Sequence, residues 1–181
     1  MKPDFDVSYP PARGPVLLLS CMDLRLMDEV AQFMAHDGLA NRYDHVIMAG
    51  AALGALGANH CDYEHWRRTF KDHLDAAHKL HRIKDVYILE HRDCGAYVEF
   101  LGIDGTFSDE QSELESQVHC RYAEELSQVV KQWATEKDVK ITVKAFLMDL
   151  RGNVSLLSDC KAKKGRGPKK APDREPRRTK R

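Results

Sequence analysis

The sequence predicts an α/β fold: a mostly parallel β-sheet core flanked by helices, with an antiparallel edge strand. Two observations support this prediction. Short apolar segments alternate along the chain with segments of helical periodicity, which is typical of a parallel sheet with crossover helices. The last two apolar segments are separated only by the turn at 151–153, which predicts a hairpin and therefore an antiparallel edge. With 181 residues, the chain is long enough to bury a substantial core.

Three uninterrupted apolar segments predict the buried parallel strands, at 15–20, 45–50 and 85–89. Helical spacing follows the first strand over 26–36. It recurs after the second strand in one core-facing stripe made of Tyr63, Trp66, Phe70, Leu74 and Ala77. In this order of elements, the carboxyl ends of neighbouring parallel strands lie at one edge of the sheet.

A long helix and two further strands are predicted in the last third of the chain. The helix presents an apolar face made of Leu114, Val118, Tyr122, Leu126, Val130 and Trp133. Residues 139–147 alternate between apolar and polar, so this fourth strand has one wetter face. Residues 154–157 form the last strand, which returns beside the fourth after the turn.

The charge distribution divides the chain into an acidic body and a basic tail. Residues 161–181 hold 11 Lys and Arg against 2 Asp and Glu, whereas the other 160 residues hold 17 against 26. We therefore predict a short N-terminal arm at 1–14, a folded domain at 15–158 and a basic, disordered tail at 159–181. The tail could contact nucleic acid or an acidic surface. Because it has no aromatic residue for base stacking, a solvated tail, or one folded onto the acidic body, explains it more simply.

The sequence contains no signal for export or membrane insertion. Its first 14 residues are polar and rich in proline, unlike a signal peptide, and no apolar run approaches the roughly 18 residues that span a bilayer. We therefore expect a cytoplasmic protein with no membrane partner.

Two short segments at predicted strand ends carry candidate metal ligands. Cys21 directly follows the first strand, and His91 and Cys94 follow the third, about 70 residues later. Two thiolates and an imidazole form a ligand set that Zn²⁺ accepts, and a catalytic zinc site keeps its fourth position open. Because the two strands are predicted to be neighbours, the three side chains can meet at one point.

An acid–arginine pair, Asp23 and Arg25, follows the first candidate ligand. Arg25 can hold the Asp23 carboxylate in a bidentate fork and keep it ionised. An ionised Asp23 could accept a hydrogen bond from a zinc-bound hydroxide and orient it. It could instead rotate onto the metal as a fourth ligand and close the site, and the residue types leave both alternatives open.

Two further sets of metal-binding residue types lie before and along the second helical segment: His60, Cys61 and His65, or His78 and His81. Polar positions on the surface of a helix explain these residues better than a second metal ion does. We therefore predict a single metal site.

The two ligand motifs resemble those of the β-class carbonic anhydrases, and the chain is identified as a diverged member of that family. The family's C-x-D-x-R motif matches Cys21–Arg25, and its H-x-x-C-G motif matches His91–Gly95. The Ala-Gly of its Arg-Asn-Ala-Gly segment matches Ala49–Gly50. The similarity extends over 15–157 in order and spacing, although only the two ligand motifs are individually specific.

The resemblance implies a zinc enzyme. Its metal ligands would be Cys21, His91 and Cys94, and its catalytic residues Asp23 and Arg25. The implied reaction is the reversible hydration of carbon dioxide to bicarbonate by a zinc-bound hydroxide, in a homodimer or a tetramer.

Three departures from the family's motifs leave other functions open. Leu24 replaces the usual Ser, Ile47–Met48 replace Arg-Asn, and Glu90 stands where the family often has Gly. We expect Glu90 to add a carboxylate next to the metal. One alternative is a non-catalytic homologue with a closed zinc site, which acts as a binding or regulatory module. Another is a hydrolase of a different small heteroallene, carbonyl sulfide or carbon disulfide.

Overall fold

The computed structural model describes residues 4–5, 9–102 and 111–157, and these residues build a five-stranded sheet. In chain order its strands are β1 (Val16–Ser20), β2 (Tyr43–Ile47), β3 (Asp85–His91), β4 (Thr142–Met148) and β5 (Val154–Leu156). Across the sheet their order is β2-β1-β3-β4-β5. The pairs β1–β2, β1–β3 and β3–β4 are parallel, and β4–β5 is antiparallel. The predicted fold class, including its antiparallel edge, is confirmed.

Helices cover both faces of the sheet. They are α1 (Met27–His36), α2 (Ala52–Ala55), α3 (Glu64–His81), α4 (Gly95–Leu101) and α5 (Ser112–Glu136). In β3, Val86 and Ile88 pack with α2, α3 and α5, whereas Tyr87 and Leu89 pack with α1. Burial on both faces is the reason that the central strands read as uninterrupted apolar runs. Among the described residues, no helix has both the length and the apolar character needed to cross a membrane.

The ends of two strands differ from the prediction because backbone pairing, rather than the apolar run, limits a strand. β2 begins at Tyr43, which pairs with Val16, and it ends at Ile47. β4 begins at Thr142, although apolar residues precede it. Those residues, Val139 and Ile141, pack against the core from the connection that leads into the strand.

At the start of α5, the buried face differs from the predicted one. Leu114 was expected on the apolar face but is 47% exposed, whereas Glu115 and His119 are buried. The later members of the predicted stripe that are buried are Tyr122, Leu126, Val130 and Trp133. Positions 115 and 119 continue this stripe towards the amino end of the helix at steps of three and four residues. Two polar side chains therefore face the interior of the domain.

The described residues of the N-terminal arm pack against the domain that follows them. Phe5 forms a bridge with Val154, and the Tyr9 hydroxyl donates to an Asp37 oxygen at 2.6 Å. The ammonium group of Lys144, which is buried, donates to the Pro10 carbonyl at 2.6 Å. The arm thus covers the sheet face that carries α1. The predicted basic tail at 159–181 lies outside the described residues, and its role stays a prediction.

Candidate metal centre

Three candidate ligands meet at the carboxyl edge of the sheet. Cys21 follows β1, His91 is the last residue of β3, and Cys94 precedes α4. Their ligand atoms all lie within 4.8 Å of one another, and the two Sγ atoms are 3.8 Å apart. The parallel register of β1 and β3 brings them together, because it aligns the ends of both strands at the same edge.

The His91 imidazole is oriented to bind a metal through Nε2. Its Nδ1 lies 2.8 Å from the Arg92 carbonyl, which can only accept, so Nδ1 carries the proton. Nε2 is buried and has no hydrogen-bond partner among the described residues. A buried polar atom without a partner is unfavourable, and a metal ion next to two sulfur atoms would remove that cost. The residues present therefore fit a zinc ion held by Cys21, His91 and Cys94.

The two thiols of this group differ in pKa. The Sγ atoms of Cys21 and Cys94 are in hydrogen-bond contact, and the Gly50 N–H donates to the sulfur of Cys21 at 3.3 Å. The contact with Cys94, with smaller contributions from His91 and the Gly50 N–H, lowers the pKa of Cys21, whereas the contact with Cys21 and burial raise the pKa of Cys94. Metal ligation requires both thiolates, so a bound cation would have to displace the second proton.

Asp23 lies beside the ligands and is held by Arg25. The guanidinium donates from Nε to Oδ1 at 2.9 Å and from Nη2 to Oδ2 at 2.6 Å, which forms a bidentate fork. Chiefly because of these bonds, the pKa of Asp23 is lowered to about 2, and the carboxylate is ionised at neutral pH. Its Oδ2 lies 3.7 Å from Nε2 of His91. The structure therefore brings the acid–arginine pair next to the three candidate ligands.

A small cavity opens beside Asp23 and His91. Its volume is about 10 Å³, close to the space that one water molecule needs. Four apolar side chains also line it: Leu26, Val30, Leu89 and Met148. Asp23 therefore lines a confined space that is partly apolar.

Glu90 is not one of the three grouped ligands, although its carboxylate lies close enough to Cys94 to help raise the pKa of that thiol. Side chains alternate along a strand, so Glu90 projects from the opposite face of β3 to His91, and it is 1% exposed. Its Oε1 accepts the Ala52 N–H at 2.9 Å. Its Oε2 accepts the Tyr97 hydroxyl at 3.0 Å and a hydrogen bond from Nδ1 of His119 at 2.8 Å. Three donors thus engage this carboxylate in a separate buried network.

Sequence reasoning missed Asp93 and Glu115, which contact the residues of the site. Asp93 accepts a hydrogen bond from Arg25 at 2.9 Å, and Glu115 accepts the Asp93 N–H. The sequence pattern that could have identified Glu115 is its position on the buried stripe of α5, because a charged residue at a buried position needs a partner.

The metal-binding residue types near position 60 form an exposed group of side chains. His60, Cys61 and Asp62 have ligand atoms within 4.8 Å of one another, and His65 is not part of this group. The Nδ1 of His60 accepts the Asp62 N–H at 3.2 Å and caps a short 3₁₀ turn. Helix capping therefore accounts for this histidine.

Comparison with protein families and curated relatives identifies similar proteins. Residues 14–153 match the family described as "Putative carbonic anhydrase". An uncharacterized protein of Rickettsia bellii (strain RML369-C) is 33% identical over 136 residues, which cover 75% of this chain and 77% of the relative. An uncharacterized protein of Rickettsia conorii (strain ATCC VR-613 / Malish 7) is 33% identical over 138 residues, which cover 76% and 69%.

Solved structures share the fold at low sequence identity. A mutant form of the β-carbonic anhydrase CafD of Aspergillus fumigatus superposes with a TM-score of 0.54 at 15% identity, and the match covers 85% of this chain and 96% of that one. A tetrameric β-carbonic anhydrase of Sordaria macrospora superposes with a TM-score of 0.52 at 12% identity, and the match covers 83% of each chain. The family match over residues 14–153 shows that this chain belongs to the family described as "Putative carbonic anhydrase", and its fold is the one found in the β-carbonic anhydrases.

Proposed function

We propose that the protein catalyses the reversible hydration of carbon dioxide to bicarbonate, with a zinc ion held by Cys21, His91 and Cys94. The observation that carries this proposal is the position of an ionised Asp23 beside three ligand atoms, 3.7 Å from the unpartnered Nε2 of His91. A structural zinc site needs no such carboxylate, whereas a site that activates water gains an acceptor from it.

Asp23 and Arg25 have different roles in the proposed reaction. When bound, zinc lowers the pKa of a coordinated water and so supplies a nucleophile at neutral pH. Asp23 accepts a hydrogen bond from the attacking hydroxyl group at Oδ2, which keeps its hydrogen turned away from the electrophilic carbon. Arg25 keeps both carboxylate oxygens engaged, so that Asp23 stays ionised and holds one direction. The apolar residues that line the cavity beside Asp23 limit the access of other water molecules.

The departures from the family's motifs do not favour a closed or non-catalytic site. Glu90 accepts three hydrogen bonds from other residues and is not one of the grouped ligands. The side chain of Leu24 is 87% exposed and that of Ile47 is 43% exposed, so neither fills the space between the ligands. The same residues would act on any small heteroallene, so carbonyl sulfide and carbon disulfide are the alternative substrates.

We also infer that the protein forms a homodimer or a tetramer. Three exposed apolar residues lie near the carboxyl edge of β1 and β2: Met22, Leu24 and Ile47, with 64%, 87% and 43% of their surface exposed. Exposed apolar side chains near one another are typical of protein interfaces, and the similar enzyme of Sordaria macrospora is tetrameric. Light scattering during size-exclusion chromatography tests this inference. A monomer at every concentration would contradict it.

Stopped-flow measurement of carbon dioxide hydration between about pH 6.5 and 9, with zinc quantified in the same sample, tests the proposed reaction. We expect about one zinc ion per chain and a rate that rises with pH, because the coordinated water must lose a proton. The Cys94→Ala variant serves as the control and should bind no zinc. Stoichiometric zinc without hydration at any pH would contradict the proposal. The same preparation should then be assayed with carbonyl sulfide and carbon disulfide.

A further inference from the structure

Glu115 holds the two residues that separate the metal ligands of the second motif. Its Oε1 accepts the Asp93 N–H at 2.5 Å, and its Oε2 accepts a hydrogen bond from Nη1 of Arg92 at 2.8 Å. The Arg92 guanidinium also donates to two groups of the same helix, the carbonyl of Ser112 and the hydroxyl of Ser116. Glu115 is only 4% exposed, and a carboxylate that is buried to this extent is stable only if it is paired. The start of α5 therefore clamps this turn.

Asp93 connects the clamp to the acid–arginine pair. Its backbone is left-handed, with φ 55°, a conformation that costs energy for a residue with a side chain, although Asp tolerates it better than most. The hydrogen bond from its N–H to Glu115 supports this conformation. Its Oδ2 accepts from Nη1 of Arg25 at 2.9 Å, and its carbonyl accepts from Nη2 at 3.0 Å. One guanidinium thus joins Asp93 to Asp23.

We propose that Glu115 is a positioning residue of the metal centre, which fixes the backbone between the ligands His91 and Cys94. Through Asp93, it also fixes the guanidinium that directs the Asp23 carboxylate. The catalytic consequence of this inference rests on the proposed function. Its consequence for metal geometry does not, because the clamp acts on the ligands themselves.

The variant Glu115→Gln tests the clamp with little change in shape. A glutamine can accept from either Asp93 or Arg92 through its oxygen, but its amide group then faces a donor, so one of the two bonds is lost. We expect zinc affinity, measured by competition with a chelator, to fall about 10- to 100-fold, as for other residues that orient metal ligands. The absorption bands of the cobalt-substituted protein should shift, because the ligand geometry changes. At saturating zinc, we expect kcat/KM to fall about tenfold, because kcat falls while KM stays the same.

The matched control is Glu113→Gln, which changes the same residue type on an exposed turn of the same helix. It should behave as the wild type in all three measurements. If Glu115→Gln and Glu113→Gln have the same zinc affinity and the same cobalt spectrum, the inference is wrong. These two readouts decide the matter even if the wild type proves inactive with carbon dioxide, so failure of the proposed function and failure of the clamp can be told apart.

A second variant, Asp93→Asn, keeps the inference testable if Glu115→Gln does not fold. Asparagine retains the backbone bonds and tolerates the left-handed conformation, but it removes the negative charge that Nη1 of Arg25 contacts. We expect zinc affinity within about threefold of the wild type. Binding of thiocyanate to the cobalt-substituted protein should change at least fivefold, because Asp23 is no longer held in one direction. Unchanged thiocyanate binding in this variant would overturn the link from the clamp to Asp23.

Discussion

Asp23 and Glu90 both stand within two residues of a candidate metal ligand, and yet their carboxylates have opposite surroundings. Asp23 lies on the connection after β1, 14% of its side chain is exposed, and one guanidinium holds it from one side. Glu90 lies inside β3, is 1% exposed and accepts three hydrogen bonds. A residue inside a strand has its direction set by the alternation of side chains, whereas a residue after the strand can turn towards the metal.

The two carboxylates therefore contribute to different properties. Asp23 keeps an oxygen directed towards the ligand group, so it can interact with a reactant. Glu90 joins three helices around β3, because its donors Ala52, Tyr97 and His119 belong to α2, α4 and α5. Burial and the Glu90 carboxylate raise the pKa of Tyr97, so its hydroxyl remains a donor. We expect substitutions at Asp23 to affect turnover and substitutions at Glu90 to affect stability.

The largest effect is expected for Glu90→Ala. This change leaves three buried donors without their acceptor, and we expect the free energy of unfolding to fall by about 3–5 kcal/mol. Chemical denaturation of the zinc-loaded protein measures it. The control is Glu113→Ala, an exposed carboxylate of α5 that should cost less than about 0.5 kcal/mol. A loss below about 1 kcal/mol for Glu90→Ala would mean that its network does not stabilise the fold.

The next effect is expected for Asp23→Ala, which should leave the metal in place and impair the reaction. We expect kcat/KM to fall about 10²- to 10³-fold, since the variant loses a preorganised group at the reacting centre. Zinc content and the melting temperature should stay close to those of the wild type. Asp28→Ala, an exposed acidic residue in the first turn of α1, provides the control. Full activity of the Asp23 variant would contradict the proposed role of this carboxylate.

A smaller effect is expected for Arg25→Gln, which tests the pKa of Asp23. Because Arg25 lowers this pKa from 3.8 to about 2, the ion pair stabilises the fold above about pH 4, and this contribution is lost as the pH falls towards 2. The contribution is expected to be below about 1 kcal/mol, since the side chain of Arg25 is 42% exposed. In Arg25→Gln, the pKa should rise towards 3.8, as followed by NMR of the ¹³C-labelled aspartate carboxyl in the metal-free protein. A titration midpoint that stays near 2 would show that another group sets it.

The sheet and the ligand group could be predicted because simple local rules determine both. Apolar runs indicate buried strands, and Cys21 and His91 stand at the ends of two such strands. The partners of Glu90 and Glu115 could not be predicted in this way. Periodicity identifies a buried face by its apolar residues, and it therefore assigned Leu114 rather than Glu115 to the face of α5. Whether a charged residue is buried depends on donors from distant parts of the chain, such as the Asp93 N–H.

The smallest effect is expected for Leu24→Ser, which restores the family's usual residue between Asp23 and Arg25. Because the Leu24 side chain is 87% exposed, it is directed to solvent, and the fork beside it forms without a hydroxyl group. We expect the free energy of unfolding to change by less than about 0.5 kcal/mol and kcat/KM by less than about threefold. Its main measurable consequence should be weaker self-association, because the substitution removes an exposed apolar side chain from the proposed interface. Chemical denaturation, steady-state kinetics and light scattering on one preparation separate these effects. An increase in kcat/KM of tenfold or more would show that Asp23 depends on a polar neighbour as well as on Arg25. Asp23 would then resemble Glu90, whose carboxylate is held by several donors rather than by one guanidinium.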